Sequence, residues 1–293
     1  MNLLPAAIAL SILAVSAVDG DYSKQVQDWR AKREESLKRP TGWLSVAGLF
    51  WLSNGDNVIG SAKGSAVLLP YRVAPAMAGV LHLEGGVVTF RTESAAIFKI
   101  NGKPAPESAV LQPDVSGKPD RVAVGDCVFG VIQRGKRTGI RLWDPQCDSR
   151  KNFTGLNWYP VTEAYRIKAK FTPYAKPKMV PITNVLGDTS DSPSMGTLTF
   201  KVDGKECSME ALDGGDGTFS LIFKDATSGN TTYGAGRFLD TDKPVDGYVT
   251  LDFNYAYNPP CAFTSFATCP LPPPANRLKV AIKAGEKAYH GHD

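Results

Sequence analysis

The sequence predicts a mostly β fold: an N-terminal helix, a small antiparallel β-sandwich, then a larger antiparallel β-barrel or sandwich. Three observations carry this. Short apolar runs between Asn54 and Gly135 are cut by Gly-containing turns at roughly ten-residue spacing, the habit of small sandwiches. Tyr165, Ile167, Ala169 and Phe171 alternate with Arg166, Lys168 and Lys170, a half-buried strand that opens a second series of such runs. No helical crossover separates any two runs, which argues against a parallel α/β sheet.

Composition sets the outer limits. The chain has 293 residues, 43% hydrophobic and 21% charged, so it can bury a full core and is not a disordered polymer. Its net charge is +4 with interspersed signs. With no basic arm and no nucleic-acid motif, nucleic-acid binding is set aside. Gly234 and Gly236 are followed by no helix, so they do not form a phosphate cradle, and no cofactor is expected. The five cysteines include no CxxC pair, and the histidines are only His82, His290 and His292, which argues against a metal site.

In chain order, residues 1–17 read as a signal peptide. Leu3 to Val15 is apolar and Val15-Ser16-Ala17 offers small residues for cleavage, so the protein is expected to be exported, periplasmic or extracellular. The run is too short to span a bilayer comfortably. Residues 18–40 hold the helix, Asp21 to Arg39, with Tyr22, Val26, Trp29 and Leu37 near one face and Pro40 as its stop. It should brace a sheet.

Residues 41–150 form the expected sandwich. The aromatic stretch Trp43 to Leu52 is expected to enter a core, and His82 is a strand residue with a satisfied ring. The hairpin carrying Arg134, Arg137 and Arg141 is a candidate anion site, although a solvated basic hairpin is the simpler reading. Val58 to Ser61, Val67 to Pro70, Ile100 to Lys103 and Val124 to Asp126 stand in the order found in forkhead-associated domains, which this half resembles. Ser61 and the Ala76 to Gly79 stretch replace that family's phosphate donors. The resemblance therefore implies the scaffold and not phosphothreonine reading.

Residues 151–289 form the second β unit, with runs at Met179 to Val185, Thr197 to Val202, Cys207 to Leu212, Phe219 to Phe223, Thr231 to Phe238, Tyr248 to Asn254 and Leu278 to Ile282. Residues 290–293 are a tail. Three strings stand out: Gly135 to Asp144, Phe223 to Leu239 and Leu251 to Pro274, closed by Ala275 to Leu278 and Ala284 to Lys287. Through them the chain resembles the bacterial and archaeal family catalogued as domain of unknown function 1684. That resemblance implies membership and no activity.

Leu251 to Pro274 begins as a strand and becomes a proline-rigidified loop holding several aromatic rings, Cys261 and Cys269. Candidate ligand-binding residues are Asp225, Tyr233, Arg237, Asp252, Asn254, Tyr257, Asn258 and Cys261, which meet at one mouth if their strands are consecutive. Arg237 is either half of a buried ion pair or an anion-binding fork. Cys261 and Cys269 are the candidate disulfide.

No motif compels an enzyme. A hydrolase would use Asp225 with Asp252 or Glu286, or the Cys261 thiol, which lacks a histidine partner. The leading expectation is a small ligand bound in the C-terminal β unit. A structural envelope protein is the third reading, and a closed core near Tyr257 would favour it.

Overall fold

A computed structural model describes residues 20–93 and 95–289. Helix α1, Gly20–Leu37, buries Tyr22, Val26 and Leu37. Trp29 extends that stripe by packing edge-on to Trp158 and Tyr255, with ring centroids 5.8 and 5.1 Å away. The helix stops two residues before the expected Arg39, because the chain folds back on its last turn. A Cβ on Gly42 would lie 2.4 Å from the Leu37 carbonyl oxygen, so this return needs glycine.

The expected sandwich consists of β1 Val46–Trp51, β2 Gly55–Gly60, β3 Val67–Leu68, β4 Gly79–Glu84, β5 Val87–Thr92, β6 Phe98–Ile100, β7 Lys103–Pro104, β8 Ser108–Leu111, β9 Val122–Val124, β10 Cys127–Arg134 and β11 Arg137–Trp143. One sheet runs β1-β11-β10-β9-β6-β7 and the other β3-β2-β4-β5-β8. Pairing is antiparallel except for the short β2–β3 contact. Alternate residues fill the space between the sheets, with Phe90, Phe98 and Phe129 meeting edge to face at 5.0 to 6.4 Å. His82, on β4, has its Nδ1 2.6 Å from Asp56 Oδ1, the satisfied ring expected for it.

The second unit contains β12 Arg166–Thr183, β13 Thr189–Val202, β14 Lys205–Gly215, β15 Thr218–Phe223, β16 Arg237–Thr241 and β17 Tyr248–Asp252. Their order, β16-β15-β14-β13-β12-β17, makes one antiparallel sheet curled into a half-barrel. Two expected strands, up to Pro173 and from Met179, are a single one whose ladder is interrupted between Pro173 and Lys178. Leu278 to Ile282 is not a ladder strand. It crosses the open side of the half-barrel instead, tied by Leu278 N–H to Lys224 O at 2.7 Å and Ala226 N–H to Val280 O at 2.9 Å. Its alternation is real, but Leu278, Val280, Ile282 and Ala284 are buried as a plug over the sheet's core.

Candidate functional site

The loop after β17 turns through short 3₁₀ segments, Phe253–Tyr255 and Pro260–Ala262. Between them Tyr257 and Phe238 exchange backbone hydrogen bonds at 2.8 and 2.9 Å, which stands their rings edge to face at 5.8 Å. Helix α1 and the turn at Trp43 come down opposite. The result is a cavity of about 190 Å³ walled by Trp43, Phe238, Tyr257, Phe263, Leu37 and Pro260, with Arg33 and Asn258 as its polar members. A proline fixes the first turn of the Pro260–Ala262 segment, so this wall is held without needing a ladder.

Arg33 lies over the rings, its Cζ 4.6 Å from the Tyr257 centroid and 5.7 Å from that of Phe263. Its Nε donates to Glu286 Oε2 at 2.7 Å and its Nη2 to the Asn258 carbonyl at 2.8 Å. Glu286 is fully buried, and burial pushes its carboxyl up despite Arg33. Glu286 Oε1 and Asn258 Oδ1 are buried without a hydrogen-bond partner. One wall residue of the aromatic cavity, Asn258, thus keeps an unused acceptor, and Glu286 keeps another behind Arg33.

The eight candidate ligand residues are not brought to one mouth. The expected run of consecutive strands fails because β17 pairs with β12 rather than with β16. Arg237 and Asp225 are a buried ion pair at 2.8 Å, both side chains at 0% exposure. Arg237 also donates to the carbonyls of Ala284 and Ile282, and Asp225 accepts from Thr227 and the Ile282 amide. This is a clamp that fastens the plug to the half-barrel.

Asp252 lines a different, more polar cleft of about 410 Å³ with Tyr22, Arg166, Asp240 and Asp242. Its carboxylate accepts from Tyr22 Oη at 2.7 Å and from Asn254 at 2.9 Å, so it anchors α1 and caps the Phe253–Tyr255 segment. The cleft is larger, but a ligand there would stay hydrated. The aromatic cavity would remove water from one, so the smaller space is the stronger candidate.

Tyr233 donates to the Cys261 carbonyl at 2.8 Å, and Cys261 N–H reaches Cys269 Sγ at 3.2 Å. Both thiols are free in this structure. Cys269 holds the Cys261 thiol below its ordinary range. Arg137 is occupied by Asp188 and stacks on Trp51 at 4.7 Å, at the hairpin end of the outward face that also carries Arg134 and Arg141. Asp126, Cys127 and Asp144 approach one another, but Arg72 Nη2 sits among them, 2.9 Å from Asp126 and 2.5 Å from Asp144.

Of the eight wall residues, sequence reading named Tyr257 and Asn258 and missed Arg33, Leu37, Trp43, Phe238, Pro260 and Phe263. The signal was present for Arg33: it stands four residues from both Trp29 and Leu37, a charge inside the apolar stripe.

Residues 151–287 match the family described as "Protein of unknown function (DUF1684)". An uncharacterized protein of Haloarcula marismortui, solved by solution NMR, is 33% identical over 47% of this chain and 78% of that chain, with a TM-score of 0.40. The chain belongs to the DUF1684 family. A domain from a study of phosphothreonine-dependent FHA interactions covers 32% of this DUF1684 chain at 15% identity, taking in 92% of its own length, with a TM-score of 0.23. The FhaA FHA domain, solved with the intracellular domain of Rv3910, gives the same identity, TM-score and share of this chain, with 96% of its own length covered. No curated protein matches. In this DUF1684 chain the family segment supplies five of the eight cavity residues, and Arg33, Leu37 and Trp43 precede it.

Proposed function

We propose that this protein is an exported binding protein that takes a small, ring-sized, largely apolar molecule with one polar end. The observation that carries the reading is the cavity of about 190 Å³ beside Tyr257, with four aromatic walls and Arg33 and Asn258 at its polar side. Rings supply apolar contact at low entropic cost, and one or two polar groups fix orientation. A core closed at Tyr257 would have favoured a purely structural role. On this reading the Cys261–Cys269 pair bridges after export and stiffens the cavity's loop, in line with the expectation from residues 1–17.

Hydrolysis has less support. Asp225 and Glu286 are buried and engaged, Asp252 faces another cleft, and among the described residues the one histidine, His82, lies on β4 of the sandwich. The test is native mass spectrometry of the protein purified from its own compartment, followed by titration of Trp43 fluorescence with small aromatic acids, amines and alcohols. A retained or saturably bound molecule, lost on Leu37→Trp in a protein that still folds, is the expected result. A bare polypeptide with no saturable response to any class would end the proposal.

A further inference from the structure

A second arrangement lies on the outer face of β10 and β11 and meets the aromatic cavity through Trp43, whose ring walls the cavity and also backs Arg141. Phe129, Val131, Ile140 and Leu142 point into the sandwich core, so Gly130 and Arg141, which oppose each other in the ladder, both face outward. A Cβ at Gly130 would stand 2.6 Å from Arg121 Nη1. The missing side chain is what lets Arg121 lie across the strand beside Arg141. Each guanidinium is backed by an indole, Arg121 on Trp143 at 4.8 Å and Arg141 on Trp43 at 4.9 Å. Arg134, further along the same face, donates to Thr268 Oγ1 at 2.9 Å and pairs with Asp114 at 2.7 Å.

The charges on this face do not balance. Apart from Arg137, which Asp188 neutralises, three guanidiniums meet one carboxylate, Asp114, which leaves two positive charges. Arg141 is 5% exposed, yet its Nε and Nη2, the edge that grips an oxyanion at two points, have no acceptor. An uncompensated buried charge is costly. Burial and the neighbouring Arg134 already lower the Arg141 pKa to about 10. Arg121 and Arg134 are partly exposed, so the group is open to solvent on their side while Arg141 forms its inner wall.

We infer that Arg121, Arg134 and Arg141 form a binding site for a small dianionic oxyanion, with phosphate, free or as a monoester, matching the two uncompensated charges. A phosphate group carries about −1.5 to −2 at neutral pH and offers three acceptor oxygens. Arg137, expected from the sequence to belong to this group, stands on the same face but is already paired with Asp188.

Equilibrium dialysis with radiolabelled inorganic phosphate tests the site, with sodium chloride holding ionic strength constant. One phosphate per chain is expected, with affinity falling at least tenfold in Arg141→Gln and clearly in Arg121→Gln. Gly130→Ala should weaken binding by displacing Arg121. Leu37→Phe, in the aromatic cavity, should leave it intact, so failure here and failure of the ligand proposal are separable. Displacement of phosphate by glycerol phosphate would support an ester-bearing ligand, and its exclusion a site for the free ion. No saturable phosphate uptake, or uptake unchanged in both Arg121→Gln and Gly130→Ala, would overturn the inference even if Arg141→Gln does not fold.

Discussion

Arg33 and Glu286 stand 253 residues apart in sequence and meet at 2.7 Å. The pair fastens α1 to the last segment of the chain, and Glu286 has 0% side-chain exposure. Arg33→Ala leaves that carboxylate without its counter-charge and is expected to cost about 3 kcal/mol near pH 8. Urea denaturation over a pH series should show the loss shrinking as pH falls, because the orphaned Glu286 then takes up a proton. A loss independent of pH would mean that packing alone is responsible.

Wild-type stability should carry the mark of the same residue. Burial raises the Glu286 carboxyl in the folded state despite Arg33, so the native protein keeps a proton that the unfolded chain has already released. The stability Glu286 contributes is complete below the ordinary carboxylate range and is lost as pH rises through the raised folded value. Glu286→Gln is neutral throughout, so it should remove this slope from the pH profile. An identical slope in the variant would assign it to another group.

Arg237→Ala is expected to destabilise by about 3 to 5 kcal/mol, since it strands buried Asp225 and frees three plug carbonyls. Arg237→Lys should recover little, because one ammonium cannot replace a planar fork that serves both Asp225 and the plug. Thermal melts of both variants decide this, and a lysine variant with wild-type Tm would show that charge alone suffices.

Among the thiols, Cys261 should alkylate first. Its neighbour Cys269 lowers its pKa, whereas burial pushes the Cys127 thiol up to about 12. Timed iodoacetamide labelling read by mass spectrometry gives the order. Mild oxidation should join Cys261 to Cys269 and add about 2 to 3 kcal/mol to stability, and a reactive Cys127 ahead of Cys261 would contradict the local electrostatics.

Leu37→Phe should abolish ligand uptake while leaving Tm within a few degrees, because the larger ring grows into existing space rather than into packed core. A sharp fall in Tm on that change would indicate that the wall cannot spare the volume.

The two β units and the helix were legible because strand alternation and glycine turns are local signals. Even the plug announced itself through Leu278, Val280, Ile282 and Ala284, but alternation reports burial of one face and not the presence of a ladder partner. The site was less legible. Asp225 with Arg237 and Tyr257 with Asn258 were recognisable as unusual, yet which of them share a space depends on β17 pairing with β12. That choice is made by contacts about eighty residues apart, between Arg166–Lys170 and Tyr248–Asp252, and by the helix docking from outside the family segment.

The cavity's divided parentage separates recognition from framework. Its aromatic loop belongs to the DUF1684 segment, while Arg33, Leu37 and Trp43 arrive from the stretch before residue 151. Excising residues 151–287 would bare the ring surface and leave Glu286 facing water, yielding a fragment that resembles the family and lacks the pocket. A chain with the same segment behind a different leading stretch would keep the half-barrel and its aromatic loop but would lack the Arg33, Leu37 and Trp43 walls that close the cavity here.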